Sequence, residues 1–246
     1  MNLPKVDLPT FEFEIPSSGK KVKFRPFLVK EQKILLMALE STDEKDAIRA
    51  IKQIVSNCVL EENFDVDDLS SFDLDYFFIQ LRIKSIGEKI NLAYRCKNIV
   101  EENKECNNLM EFEHDLSTVT IERNKSHNKT IFFTKDSGIV MKYPGMKISE
   151  MIMTDENKNK TAIEKEIEMI TECIDYIFDK DTIYPIKEIS KKELIDYVET
   201  LSRENFEKIQ TFFDTVPEVK STIEQKCKKC GFEHLIPVEG LVNFFV

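Results

Sequence analysis

Two pairs of cysteines are the residues of this 246-residue chain whose type and spacing could do chemistry. Cys227 and Cys230 stand two residues apart in Cys227-Lys228-Lys229-Cys230-Gly231, and Cys96 and Cys106 enclose nine residues. A Cys-x-x-Cys at a hairpin tip points both thiolates at one ion and turns backbone amides toward the sulfurs, the geometry of a zinc knuckle. One pair supplies only half a tetrahedron. Packed together, Cys96, Cys106, Cys227 and Cys230 would complete a closed Cys₄ site, and a closed zinc site is structural. Six cysteines are too few for a disulfide scaffold, and in a reducing compartment thiols stay free or bind metal. A dithiol redox role for Cys227 and Cys230 fits less well. Redox motifs of that kind sit where a strand enters a helix, whose N-terminus lowers the thiol pKa, and here the flanks read as strand on both sides.

His114 and His234 hold matching places after the two pairs and are the alternative ligands. Their separations from the nearer cysteine differ, eight residues against four, so both read as surface strand residues. His127, in the polar run Arg123 to Thr130, reads as a loop residue, and Cys58 and Cys173 lie on apolar helix faces as small core residues. Nothing else suggests catalysis. H-E-x-x-H, G-x-S-x-G, G-x-G-x-x-G and the P-loop pattern are all missing from the sequence. The acidic pairs Glu61-Glu62, Asp67-Asp68 and Glu101-Glu102 read as solvated linkers, so the chain is expected not to be an enzyme. Asp and Glu outnumber Lys and Arg by 45 to 35, and this net charge of −10 opposes a broad phosphate-binding surface. No apolar run approaches the roughly 20 residues that span a bilayer, and the start, Met1-Asn2-Leu3-Pro4-Lys5, lacks a secretory core. A cytoplasmic protein is expected.

The elements that must position the cysteines follow from periodicity. Phe11, Phe13 and Ile15 alternate with Glu12 and Glu14, a turn follows at Pro16 to Gly19, and Val22 and Phe24 alternate again, which predicts a hairpin. Helices are expected over Glu31 to Glu40, Ala47 to Val59 and Phe72 to Ile83. Strands at Ile90 to Tyr94 and Leu109 to Phe112 then flank the first cysteine pair. The second half is expected to have strands at Ile131 to Thr134 and Ile139 to Tyr143, with a turn at Asp136-Ser137-Gly138. Helices over Ile163 to Phe178, Lys191 to Leu201 and Glu204 to Phe213 follow, and strands Val219 to Gln225 and Phe232 to Ile236 flank the second pair.

The same order thus occurs twice. Ala47-Ile48 with Cys58 recurs as Ala162-Ile163 with Cys173, Asp75-Tyr76 as Asp196-Tyr197, and Phe112-Glu113-His114 as Phe232-Glu233-His234. This predicts an α+β protein made by internal duplication, two related ββ-ααα-ββ halves over 1–122 and 123–246, each ending in a zinc-knuckle-like β-hairpin. The second copy is the longer, with its extra residues in the Arg203 to Phe213 helix.

The early Phe24-Arg25-Pro26-Phe27 element, the helical middle, the pair beginning at Tyr94-Arg95-Cys96 and the closing Cys227-Lys228-Lys229-Cys230-Gly231-Phe232 together resemble the T4-like bacteriophage baseplate proteins of the central hub and its assembly. The resemblance covers most of the chain. It implies a non-enzymatic protein that acts through contacts with other tail components, in the host cytoplasm during assembly or in the tail baseplate of the virion. Candidate docking elements are Phe11-Glu12-Phe13, Phe24 to Phe27 and the terminal Leu241 to Val246, each of which could equally pack on its own domain. The acidic balance favours a basic patch on the partner. The alternative is a zinc-ribbon regulatory module in which Lys226, Lys228 and Lys229 contact nucleic acid or a nucleic-acid enzyme.

Overall fold

The computed structural model describes residues 7–40, 44–101, 104–148 and 160–239. Contacts divide the chain into two compact units. Described residues up to 66, 72–122 and those from 218 on make unit 1, and residues 67–71 with 123–217 make unit 2. Residues from 218 on, which the sequence halves place with the second repeat, group with unit 1.

Unit 1 opens on the expected hairpin, β1 (Phe11–Glu14) paired with β2 (Lys21–Phe24), with Phe13 directly opposite Val22 and both buried. Three helices follow: α1 (Val29–Leu39), α2 (Glu44–Cys58) and α3 (Ser71–Ser85). The stripe of Ala47, Ile51, Ile54, Val55 and Cys58 on α2 is buried along its length. On α3, Phe72, Leu74, Phe77, Phe78, Ile79 and Leu81 are all buried. Burial on all sides makes α3 the central helix of the unit. Phe13 stacks on Phe77 with ring centroids 4.3 Å apart, and Phe24 meets Phe77 edge-on at 5.4 Å.

The Phe24 to Phe27 element is turned inward rather than offered to a partner, because Phe24 and Phe27 are buried. Arg25 reaches the fully buried Glu31 at 3.1 Å, and the same carboxylate accepts the Leu28 N–H at 2.9 Å at the start of α1. Burial pushes the Glu31 carboxyl up, yet Arg25, the Leu28 N–H and Lys30 together hold it below the usual carboxylate range. The docking candidate Leu241 to Val246 lies outside the described residues.

Past α3, β3 (Lys89–Arg95) pairs antiparallel with β6 (Leu109–Asp115), and a small ladder of β4 (Ile99–Glu101) and β5 (Lys104–Glu105) projects between them. A second sheet runs β13 (Glu233–Glu239), β12 (Glu218–Lys226), β7 (Thr120–Glu122). Side chains alternate along these strands, so Ile90, Tyr94, Met110 and His114 share one face of the first sheet and Ser221, Ile223, His234 and Ile236 one face of the second. These faces meet: His114 Nε2 lies 3.0 Å from Ser221 Oγ, and the Tyr94 and His234 rings are 5.4 Å apart.

Unit 2 holds β8 (Thr130–Phe132), β9 (Ser137–Met141), α4 (Ala162–Cys173), β10 (Ile174–Asp179), β11 (Thr182–Pro185), α5 (Lys191–Glu199) and α6 (Arg203–Asp214). Its antiparallel sheet runs β11-β10-β9-β8. The helix expected over Ile163 to Phe178 is corrected: it stops at Cys173 and the chain continues as β10, with Ile174 opposite Met141. Ile170, Cys173, Ile174 and Ile177 are all buried at i, i+3, i+4 and i+7. A helix and a helix-then-strand both satisfy that spacing, and the β-branched and aromatic run Ile174 to Phe178 decides for the strand. Gly138 lies within β9, not in a turn. A Cβ there would stand 2.1 Å from the Ile131 carbonyl oxygen, so only glycine lets β8 approach. The protein is therefore mixed α+β. Among the described residues the second half reads ββ, helical residues at 146–148, then α-ββ-αα-ββ, so a second ββ-ααα-ββ copy is not reproduced.

Candidate metal centre

Both cysteine pairs sit at the same place on their hairpins. Cys227 donates its N–H to the Phe232 carbonyl at 2.8 Å, and Gly231 donates to the Cys227 carbonyl at 2.8 Å. At the first pair, Cys96 donates to the Asn108 carbonyl at 2.9 Å, and Asn107 donates to the Cys96 carbonyl at 2.9 Å. The residue after each second cysteine is left-handed, Gly231 with φ +75° and Asn107 with φ 51°. Glycine takes that conformation freely and asparagine is among the residues that tolerate it. The two necks are thus equivalent. The loop of nine residues between Cys96 and Cys106 is longer than that between Cys227 and Cys230 and carries β4 and β5.

The equivalent necks do not coincide with the letter match on which the expected repeat rested. Aligned on the knuckles, Asn108 matches Phe232 and Met110 matches His234, so the Phe112-Glu113-His114 and Phe232-Glu233-His234 segments are displaced from one another by four residues. His114 and His234 consequently do different things. Neither is the surface residue expected: His234 is buried and His114 half-buried. His114 reaches Ser221, whereas His234 Nε2 lies 3.1 Å from Cys96 Sγ. His127 lies in a loop as expected, but its ring is engaged within unit 2, 2.9 Å from Thr215 Oγ1 and 3.1 Å from the Tyr143 hydroxyl. Cys58 and Cys173 are fully buried, and burial pushes their thiols up to about 11 and about 12.

The sulfurs of Cys96, Cys106, Cys227 and Cys230 all lie within 4.8 Å of one another. Cys96 and Cys230 are 3.6 Å apart and Cys106 and Cys227 3.9 Å, each contact crossing from one hairpin to the other. A disulfide would bring sulfurs to about 2.05 Å. A tetrahedron with Zn–S bonds of about 2.3 Å has edges of about 3.8 Å, close to the two separations that cross between the hairpins. Four cysteines at that spacing could hold a metal ion, and their chemistry fits a dication that prefers sulfur and tetrahedral geometry.

The four thiols differ. The N–H groups of Cys230 and Lys229 pull the Cys227 thiol down to about 6, and the Phe232 N–H pulls Cys230 down. Burial pushes Cys96 up to about 12 and raises Cys106. The Cys-x-x-Cys thiols are therefore the more acidic pair. Two side chains that sequence reasoning missed bind the pairs together. Asn98 Nδ2 donates to Cys230 Sγ and Asn108 Nδ2 to Cys227 Sγ, both at 3.6 Å. Each asparagine stands two residues after a cysteine of the first pair and serves a sulfur of the second. That Cys-x-Asn spacing, repeated in Cys96-Lys97-Asn98 and Cys106-Asn107-Asn108, is the signal that could have found them. Of the lysines considered for phosphate, Lys226 pairs with Glu233 at 3.0 Å and Lys229 donates to the Cys106 carbonyl at 3.3 Å.

The family described as T4 bacteriophage base plate protein matches residues 8–246, both units and both cysteine pairs included. The chain belongs to that family. Comparison with curated proteins and comparison with solved structures each returned no match. No helix among the described residues of this baseplate protein is long and apolar enough to cross a membrane.

Proposed function

We propose that this baseplate protein is a non-enzymatic hub component or hub-assembly factor of a contractile phage tail, acting through protein contacts, and that zinc held by Cys96, Cys106, Cys227 and Cys230 joins the two knuckle hairpins of unit 1. The family match supports the first part, and the sulfur spacing carries the second. When bound, zinc supplies four coordinate bonds and no reaction chemistry, since every position is filled by protein. The chain's own residues do the rest: backbone amides of the knuckles and the amides of Asn98 and Asn108 orient the sulfurs. Cys106 and Cys227 are separated by 121 residues. Closing a loop of that size costs on the order of 5 kcal/mol, while structural zinc contributes about 10–16 kcal/mol near neutral pH. Metal binding comfortably exceeds the closure cost.

The net charge of −10 favours partners with basic surfaces. In this reading the protein works in the host cytoplasm during assembly and at the tail baseplate. Affinity purification from an infected lysate tests the role: recovery of hub proteins supports it, and their absence from the purified material overturns it. Elemental analysis of protein purified without chelator tests the centre, with about one zinc per chain expected.

A further inference from the structure

Among the described residues, Cys96 is the clustered cysteine with an imidazole nitrogen beside its sulfur. His234 is buried, its Nε2 lies 3.1 Å from Cys96 Sγ, and its ring is held edge-on between Phe232 at 4.8 Å and Tyr94 at 5.4 Å. The equivalent place on the other hairpin is taken by Met110, also buried against the cysteines. Imidazole nitrogen is a strong zinc ligand, and a thioether is suited to softer ions such as Cu(I). The centre is therefore lopsided: an imidazole backs one sulfur, and only a thioether stands at the matching position.

We propose that His234 is a reserve ligand of this centre, so that the site survives loss of the Cys96 thiolate as a Cys₃His site made by Cys106, Cys227, Cys230 and His234. With all four cysteines present, the imidazole stays outside the tetrahedron beside Cys96 Sγ. With Cys96 Sγ gone, Nε2 is already 3.1 Å from the vacated vertex. Beside a Cys96 thiolate Nε2 carries the proton and donates it to sulfur; to bind the ion the neutral imidazole offers its Nε2 lone pair, the Nε2–H bond being broken and an Nδ1–H bond made by exchange with water. His114, which faces Ser221 rather than a cysteine, cannot substitute. The proposal rests on the metal reading above and predicts an order among the cysteines: Cys96 is dispensable for retention of the metal, and Cys106 and Cys227 are not.

The test loads zinc into full-length Cys96→Ala and Cys106→Ala chains and measures metal per chain after desalting, then repeats the loading with Co²⁺ and reads its thiolate charge-transfer bands. Cys96→Ala is expected to keep about one equivalent and to lose about a quarter of the charge-transfer intensity, one thiolate of four. Cys106→Ala is expected to keep less than about half an equivalent. Adding His234→Ala to Cys96→Ala should bring it to the same low level, and adding His114→Ala should not. Equal zinc in Cys96→Ala with and without His234 overturns the proposal, as does a Cys96→Ala chain that loses its metal or fails to fold. The unsubstituted chain separates the two ideas. Zinc in it but not in Cys96→Ala defeats the reserve ligand alone, and no zinc in it defeats the metal centre as well.

Discussion

Glu31 carries its charge with no exposed surface, which is tolerable because Arg25 stands 3.1 Å away and the Leu28 N–H donates to the same carboxylate. Removing one partner of such a pair leaves the other uncompensated. Glu31→Gln is expected to destabilise unit 1 by about 3 kcal/mol, read as a lower urea midpoint, and an unchanged midpoint would show that the pair adds nothing. The pH dependence has a definite sign. The folded carboxyl is held below its unfolded value of 4.5, so its stabilisation is complete above that pH and is lost as pH falls through the lower, folded value. The substituted chain should therefore show a flatter acid limb than the unsubstituted one. Asn98 and Asn108 give a second expectation at this scale. Each amide donates to a sulfur at 3.6 Å, and loss of such an outer hydrogen bond typically costs 10–100-fold in metal affinity. Asn98→Ala and Asn108→Ala should each weaken zinc about 10-fold in competition with a chelating dye while leaving one zinc per chain, and wild-type affinity in both would remove them from the centre.

Between elements, β8 lies tight against Gly138 on β9, where a Cβ would meet the Ile131 carbonyl oxygen at 2.1 Å. Backbone cannot swing aside as a side chain can, so Gly138→Ala is expected to destabilise unit 2 by about 2 kcal/mol or more, measured by urea unfolding. Wild-type stability would mean that β8 shifts freely. The hairpin of β1 and β2, helices α1 and α2, and all four strands that flank the cysteines were legible from alternation and helical spacing, because each buries one face; α3, buried all round, was legible from its apolar content. What was illegible had two faces or none. Ile170 to Ile177 satisfies a helical stripe while changing from helix to strand at Cys173. The short β7 and the exposed β11 carry no pattern at all. The cysteines themselves were readable by type and spacing, but the equivalence of the two hairpins was not: Phe-Glu-His matches by letters at places that differ by four residues from the match made by the neck hydrogen bonds.

Across the whole molecule, the two units should respond differently to metal removal. Unit 2 is closed by its own apolar cluster, from Ile131 and Ile139 through Ile170 to Phe212, with none of the four clustered cysteines in it. Chelation is expected to abolish hydrogen-exchange protection in Lys89–Arg95, Leu109–Asp115 and Glu218–Lys226 and to leave it intact in Ser137–Met141 and Ile174–Asp179. Uniform loss would mean that the units unfold together, and unchanged protection would deny the metal a structural part. The separation of 121 residues between Cys106 and Cys227 also has a consequence in time. At roughly 5–20 residues per second of synthesis, the first knuckle leaves the ribosome on the order of ten seconds before the second exists. For that interval a nascent chain offers two sulfurs and can hold an ion only weakly. Tight capture comes last, so a firmly bound ion would mark a chain whose translation has run past Cys230.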